Sequence, residues 1–164
     1  MKAKDIIEQL QLIPHPEGGY YRQTYRSEKN IIVSEGINRH LSTAIYYLLE
    51  DNDRSHFHRI KSDELWFFHT GEPLEIISII NNKLSTIILG NDLTKGESPQ
   101  ALIPANTWFG ARLKNGTGFS LVSCTVAPGF DFADFELAKR EELVTQFPHL
   151  KEVVEMFTRE TSLI

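Results

Sequence analysis

Nine short β-rich runs, each bounded by turn-forming residues and with no helical stretch between them, most constrain what this chain folds into. They are YYRQTY (20–25), STAIYYLL (42–49), HFHRI (56–60), ELWFFH (64–69), LEIISII (74–80), KLSTIIL (83–89), ALI (101–103), TWFGARL (107–113) and FSLVSCTV (119–126). Asn81-Asn82 and Asn115-Gly116 suit tight turns, because Asn and Gly tolerate positive φ. Such an order implies an antiparallel sandwich or barrel of jelly-roll type. Ile6, Ile7 and Leu10 share one helical stripe before Pro14 and Pro16, and from Ala133 the apolar spacing turns helical again through Phe135, Leu137, Leu143, Val144, Val153, Val154 and Phe157. With 164 residues and 41% apolar content, the expectation is one domain over 1–164, all-β with peripheral helices. The N-terminal helix is expected at about 3–12, the barrel at about 18–128 and the C-terminal helices at about 133–160.

Charge narrows the partners. Seventeen basic residues against twenty-two acidic ones, a net charge of −5, leave no basic footprint for nucleic acid. The longest apolar runs, such as 44–49, are far shorter than the roughly 20 residues that span a bilayer. A single cysteine, Cys124, excludes an intrachain disulfide, and the first ten residues lack the apolar core of a signal peptide, so the expected location is cytoplasmic. Cys124 sits in an apolar strand where an inert buried thiol is expected, and no GxSxG nucleophile elbow is present.

The chemistry concentrates in SHFHRIKSDELWFFHTG (55–71). In a strand alternate side chains share a face, so His56 and His58 are expected to point the same way, with Glu64, Trp66 and Phe68 brought beside them by the next strand. Two imidazoles and a carboxylate suit Mn, Fe, Ni or Zn and leave coordination positions open, which makes His56, His58 and Glu64 a candidate metal triad. The same residues without metal suit proton transfer next to a carbonyl, His58 and Glu64 taking the proton and the hydroxyl of Tyr46 or Tyr20 returning one to the opposite face. Trp66 and Phe109 are candidates for stacking on a ring. In PEGGYYRQTYR, Glu17, Gly18 and Gly19 are candidates for a pocket mouth, with Arg22 or Arg26 meeting an anionic group. His15, His40, His69 and His149 read as turn or surface residues, and 128–132 as the turn leaving the last strand.

The segment His56-x-His58, five residues, Glu64, six residues, Gly71 resembles the first cupin motif, with one residue more than usual between His58 and Glu64. Pro104-Ala105-Asn106-Thr107-Trp108-Phe109 resembles the second, with Phe109 where that motif has its fourth ligand, a histidine. Together with HPEGGYYRQTYRS (15–27), HRIKSDELWFFHTGEPL (58–74), IPANTWFGARL (103–113) and VAPGFDFADFELA (126–138), these blocks are similar to the small Cupin-5 family from roughly residue 5 to 140. The resemblance implies a cupin barrel, a double-stranded β-helix like that of dTDP-sugar epimerases, a homodimer, and a sugar-like or nucleotide-sugar-like ligand. Fold alone does not transfer a reaction. Three functions therefore stay open: an epimerase or isomerase working without metal, a metal-dependent oxygenase or decarboxylase using His56, His58 and Glu64, and a non-catalytic ligand-binding or sensor protein.

Overall fold

In the computed structural model, which describes residues 1–160, the chain opens with helix α1 (Ala3–Leu10), followed by β1 (Ile13–Pro14) and β2 (Tyr20–Arg26). A hairpin of β3 (Asn30–Ser34) and β4 (Ile37–His40) comes next, then β5 (Thr43–Glu50), β6 (Arg54–Arg59), β7 (Asp63–Gly71), β8 (Leu74–Ile80) and β9 (Lys83–Leu89). The remaining strands are β10 (Gln100–Ile103), β11 (Phe109–Leu113), β12 (Phe119–Ala127) and β13 (Glu136–Leu137), before helices α2 (Arg140–Gln146) and α3 (Lys151–Met156). No helix among the described residues is long and apolar enough to cross a membrane.

Strand alternation builds the core. Along β12 the residues Ser120, Val122, Cys124 and Val126 are buried and their neighbours are not, the period-two signature of a sheet with one face inward. A six-stranded sheet, in the order β1-β2-β5-β12-β7-β10, faces a five-stranded sheet, β13-β6-β11-β8-β9. Between them lies a core to which Tyr47, Trp66, Val122 and Cys124 contribute from one sheet, and Leu74, Ile76, Phe109 and Ala111 from the other. This is the jelly-roll sandwich of a cupin barrel.

Both outer faces are covered near the helices. Ala3 and Ile6 of α1, with Leu12, pack on Leu48, and Tyr20 and Tyr46 lie against the same cluster. On the opposite sheet Phe57, Ile77, Ile79 and Trp108 meet Leu143, Phe147, Val154 and Phe157, and Phe57 stacks on Phe157 with ring centroids 5.2 Å apart. Each such side chain withdrawn from water contributes about 1.5–3 kcal/mol.

Residues 133–139 form no α-helix, although their spacing predicts one, and only Phe132–Asp134 make a short 3-10 turn. Instead Glu136 and Leu137 add a strand to the edge of β6, and α2 begins only at Arg140. The edge of β6 offers backbone hydrogen bonds that outcompete one more helical turn, and Ala138 N–H also bonds to the carbonyl of Phe57. The excursion matters because it carries Phe130, Phe132 and Phe135 across one end of the sandwich, where a cavity opens.

Candidate functional site

A cavity of about 390 Å³ opens between the two sheets at that end, within the size range of small-molecule sites. Its inner part is formed by His15, Glu17, His58, Glu64 and Cys124. Tyr21, Gln23, Arg26 and His40 line it from β2 and β4, and the three phenylalanines line it from the segment after β12.

The turn His15 to Gly19 puts Glu17 in place. His15 N–H bonds to the carbonyl of Gly19 at 2.9 Å, and Gly18 N–H to that of His15 at 3.0 Å. Gly18 has φ +113°, and a Cβ there would collide with the carbonyl of Arg54, so only glycine lets the turn lie flat on β6. From β6, the backbone N–H and the ring Nδ1–H of His56 both donate to the Glu17 carbonyl at 2.7 Å. The Glu17 carboxylate then reaches back to His58 Nε2 at 2.9 Å, while His58 Nδ1–H donates to the carbonyl of His56 at 2.7 Å.

With a carbonyl on one ring nitrogen and a carboxylate on the other, His58 is held as the imidazolium. Burial alone would lower its pKa, but the attraction and hydrogen bond of Glu17 outweigh that and raise it. Burial would likewise raise the Glu17 carboxyl, yet His58, joined by His15, holds it at about 2. His15 is different: its Nδ1 accepts the Glu17 N–H at 3.1 Å, so that nitrogen carries no proton. Burial lowers its pKa and the His58 charge adds to that, outweighing the pull of Glu17. Its 3.7 Å approach to the Glu17 carboxylate is therefore not an ion pair.

Glu64 behaves in the opposite way to Glu17. Burial, reinforced by the Glu17 charge, pushes its carboxyl up to about 7 against the counter-pull of His58 and a hydrogen bond of 2.5 Å from Trp66 Nε1–H. Beside it, burial and the two carboxylates raise the Cys124 thiol well above its ordinary range, so it stays protonated. Trp66→Phe should remove about 1 kcal/mol of stability and carry the Glu64 pKa higher still, since the lost N–H favours the ionised form. An isotope-edited infrared titration of the Glu64 carboxyl reads the shift; an unchanged midpoint would refute it.

The structure brings His58, Glu64, Glu17 and Arg26 to one cavity. Trp66 and Phe109 stand behind its wall, Trp66 bonded to Glu64 and the Phe109 ring 4.3 Å from that of His58. Tyr46 lies on the outer face of the sheet, with its ring 6.2 Å from His69, while alternation turns the adjacent Tyr47 inward to donate its hydroxyl to the Gly18 carbonyl. Tyr20 is on that outer face too, so neither tyrosine reaches the cavity to return a proton.

His56 does not join His58 and Glu64. Opposite β11, Phe109 pairs with His58 but Ala111 pairs with Ser55, so β6 carries one extra residue. In this β-bulge His56 and Phe57 both turn outward, His56 into a cleft beside Arg54, Arg140 and Arg159 and Phe57 beneath α3. Gly110 permits it, because a Cβ there would lie 2.6 Å from the Ser55 carbonyl. Among the described residues no three His, Cys, Asp or Glu side chains are grouped to hold a metal ion. His56 faces away, both His58 nitrogens are engaged and Phe109 has no donor atom, so this donor set does not fit the metal triad.

His15, His40, Asp131 and the phenylalanine segment were not legible as site residues. The family-like blocks 15–27 and 126–138 contain His15, Asp131 and the phenylalanines, whereas His40 lies in neither.

The comparisons with known proteins agree with this architecture. The family model described as Cupin superfamily (DUF985), Cupin_5, matches residues 4–138. The chain belongs to the Cupin_5 family. A hypothetical protein from Leishmania major superposes with a TM-score of 0.91 at 35% identity, over 98% of this chain and 100% of that one. Protein SO0799 from Shewanella oneidensis gives 0.91 at 45% identity, over 98% and 99%. The uncharacterized protein YML079W of Saccharomyces cerevisiae is 29% identical over 153 residues, 85% of this chain and 76% of that protein. Beyond the Cupin_5 family, a cupin 2 conserved barrel domain protein from Rhodopseudomonas palustris, at 13% identity and a TM-score of 0.56, shares the fold alone. Family, fold and cavity together describe a cupin-type small-molecule-binding protein.

Proposed function

We propose that the cavity takes a small sugar-like molecule and that Glu64 moves a proton on the carbon next to its carbonyl, as an isomerase or epimerase working without metal. The supporting observation is the divergence of two buried carboxyls in one cavity, Glu17 held at about 2 and Glu64 raised to about 7. Environments that push paired carboxyls apart assign their roles. Glu17 remains a fixed anion that keeps His58 protonated. Glu64 gains and loses its proton near neutral pH, where a general base works best. The base takes the proton, the His58 imidazolium offsets negative charge developing on the carbonyl oxygen, and the same carboxyl returns the proton on the same face to the neighbouring carbon, which is isomerisation; epimerisation at the first carbon requires the enolate to turn its other face to Glu64 before the proton returns. The cavity excludes bulk water from these charges and so strengthens them.

The test is incubation of the protein in deuterium oxide with a panel of keto sugars and their nucleotide-linked forms, following loss of the C–H signal beside the carbonyl by NMR. Glu64-dependent exchange supports the reading. Binding of a panel member with its C–H signal intact would make the protein a ligand-binding or sensor protein instead.

We further propose that the chain pairs as a homodimer through the β3–β4 hairpin, which among the described residues pairs with no other strand and leaves Ile31, Ile32, Val33 and Ile37 exposed. Light scattering after gel filtration should give twice the chain mass for the natural protein and the single mass for Ile32→Asp. A natural protein that runs as a monomer would refute this.

A further inference from the structure

We propose that Arg26, with His40 beside it, forms an anion-binding subsite at the cavity mouth, so that the substrate is an anionic sugar-like molecule held by its carboxylate or phosphate at the end away from Glu64. The inference rests on the proposed function for the identity of the inner end, and it names the class of compound the site takes.

The direction of Arg26 is set by a second bulge. Gln23 of β2 pairs with Ile45 of β5, but Tyr25 pairs with Ala44 and Arg26 with Thr43, so Thr24 is an extra residue. Simple alternation from Tyr21 and Gln23 would turn Tyr25 into the cavity. The bulge leaves Tyr25 out in solvent and puts Arg26 opposite Thr43, which lines the cavity as Ile45 does. Bulges beside sites commonly re-aim one side chain in this way.

The guanidinium that is aimed there has no work elsewhere. Arg39, Arg59 and Arg112 bond to Asp134, Glu136 and Glu75. Arg22, Arg54, Arg140 and Arg159 donate to backbone carbonyls. Among the described residues Arg26 alone of the eight arginines makes no such bond, and it lines both the cavity and the groove that continues outward from it. His40 lines the same two spaces, and its Nδ1–H donates to the Ser27 carbonyl at 2.7 Å, which fixes the ring beside Arg26 with Nε2 left to meet a ligand hydroxyl. The nearby carboxylate of Asp131 accepts from Ala133 N–H at 2.8 Å, and Arg39 lies close enough to feel its charge.

Charge then fixes the orientation of the ligand. At the inner end the His58 imidazolium offsets Glu17, and Glu64 adds an unpaired negative charge as it ionises near neutral pH, so an anionic group is repelled from the depth of the cavity and attracted to Arg26 at its mouth. An arginine fork matches the paired oxygens of carboxylate or phosphate.

Isothermal titration with glucose, glucuronate and glucose 6-phosphate tests the subsite, because the three share a ring and differ in charge. At least one anionic probe should bind about tenfold or more tightly than glucose, the worth of one charge-assisted contact. Which of the two does so separates carboxylate from phosphate. Arg26→Ala, an exposed change expected to leave folding intact, should abolish the preference, and Arg26→Lys should keep part of it. Equal binding of charged and neutral probes, no binding of either anion at millimolar concentration, or a preference that survives Arg26→Ala would overturn the proposal. An anion preference without proton exchange would remove the proposed reaction and leave the subsite. Exchange on a neutral sugar with no anion preference would do the reverse.

Discussion

Glu64→Gln is expected to slow proton exchange on substrate by about 10²–10⁴-fold, the usual worth of a positioned general base. The amide keeps the shape and still accepts the Trp66 N–H, so geometry is preserved while the titrating proton is lost. The same variant is expected to be more stable than the natural protein in alkaline solution. A carboxyl whose pKa rises from 4.5 to about 7 on folding keeps its proton in the folded state where the unfolded chain has already released it. Stability therefore falls as pH climbs between those values, by up to roughly 3 kcal/mol for a shift of this size. Urea denaturation at about pH 8 compares the two proteins, and rates across neutrality should climb with ionisation of Glu64 in the natural protein only. A variant that exchanges at the natural rate would remove Glu64 from the reaction.

Glu17→Gln should cost on the order of 2 kcal/mol of stability near pH 6 and change how stability depends on pH. The Glu17 pKa is depressed from 4.5 to about 2, so its contribution is present above 4.5 and is lost as pH falls toward 2. The His58 pKa is raised from 6.5, so its contribution is present below 6.5 and is lost as pH rises through the higher folded value. These are two views of one ion pair and its energy counts once. The pair's contribution, read as the gap between the natural protein's profile and the variant's, should therefore be largest between about 4.5 and 6.5, on top of the decline that Glu64 causes in both. Urea midpoints from about pH 3 to pH 8 decide it, and superimposable profiles would show that the pair is not ionised. The variant should also lose exchange activity, because a neutral His58 offers no charge to the developing oxyanion.

The sheet was legible because burial on one face writes itself into alternate positions, as at Val122, Cys124 and Val126. The cavity was legible in part: His58 and Glu64 lie in a motif, and Glu17 lies beside two glycines that force a turn. What could not be read depends on a partner strand. The outward turn of His56 is a mismatch of residue counts between β6 and β11, and nothing within the six residues of β6 records how many residues of β11 oppose them. Tyr46 and Tyr47 posed the same difficulty, since either could face inward until the register with β12 was known. His15 and His40 belong to a turn and a hairpin, where no periodicity marks direction.

The bulge in β6 gives its histidine pair an unusual mechanical linkage. His56 grips the Glu17 carbonyl by two hydrogen bonds from outside the sandwich, while His58 grips the carboxylate of the same residue from within. Removing Ser55, just ahead of the bulge, would let His56 take its inward place and put the two imidazoles on one face, loosening Glu17. In this architecture one residue of strand register, rather than the identity of any side chain, decides whether the two imidazoles share a face.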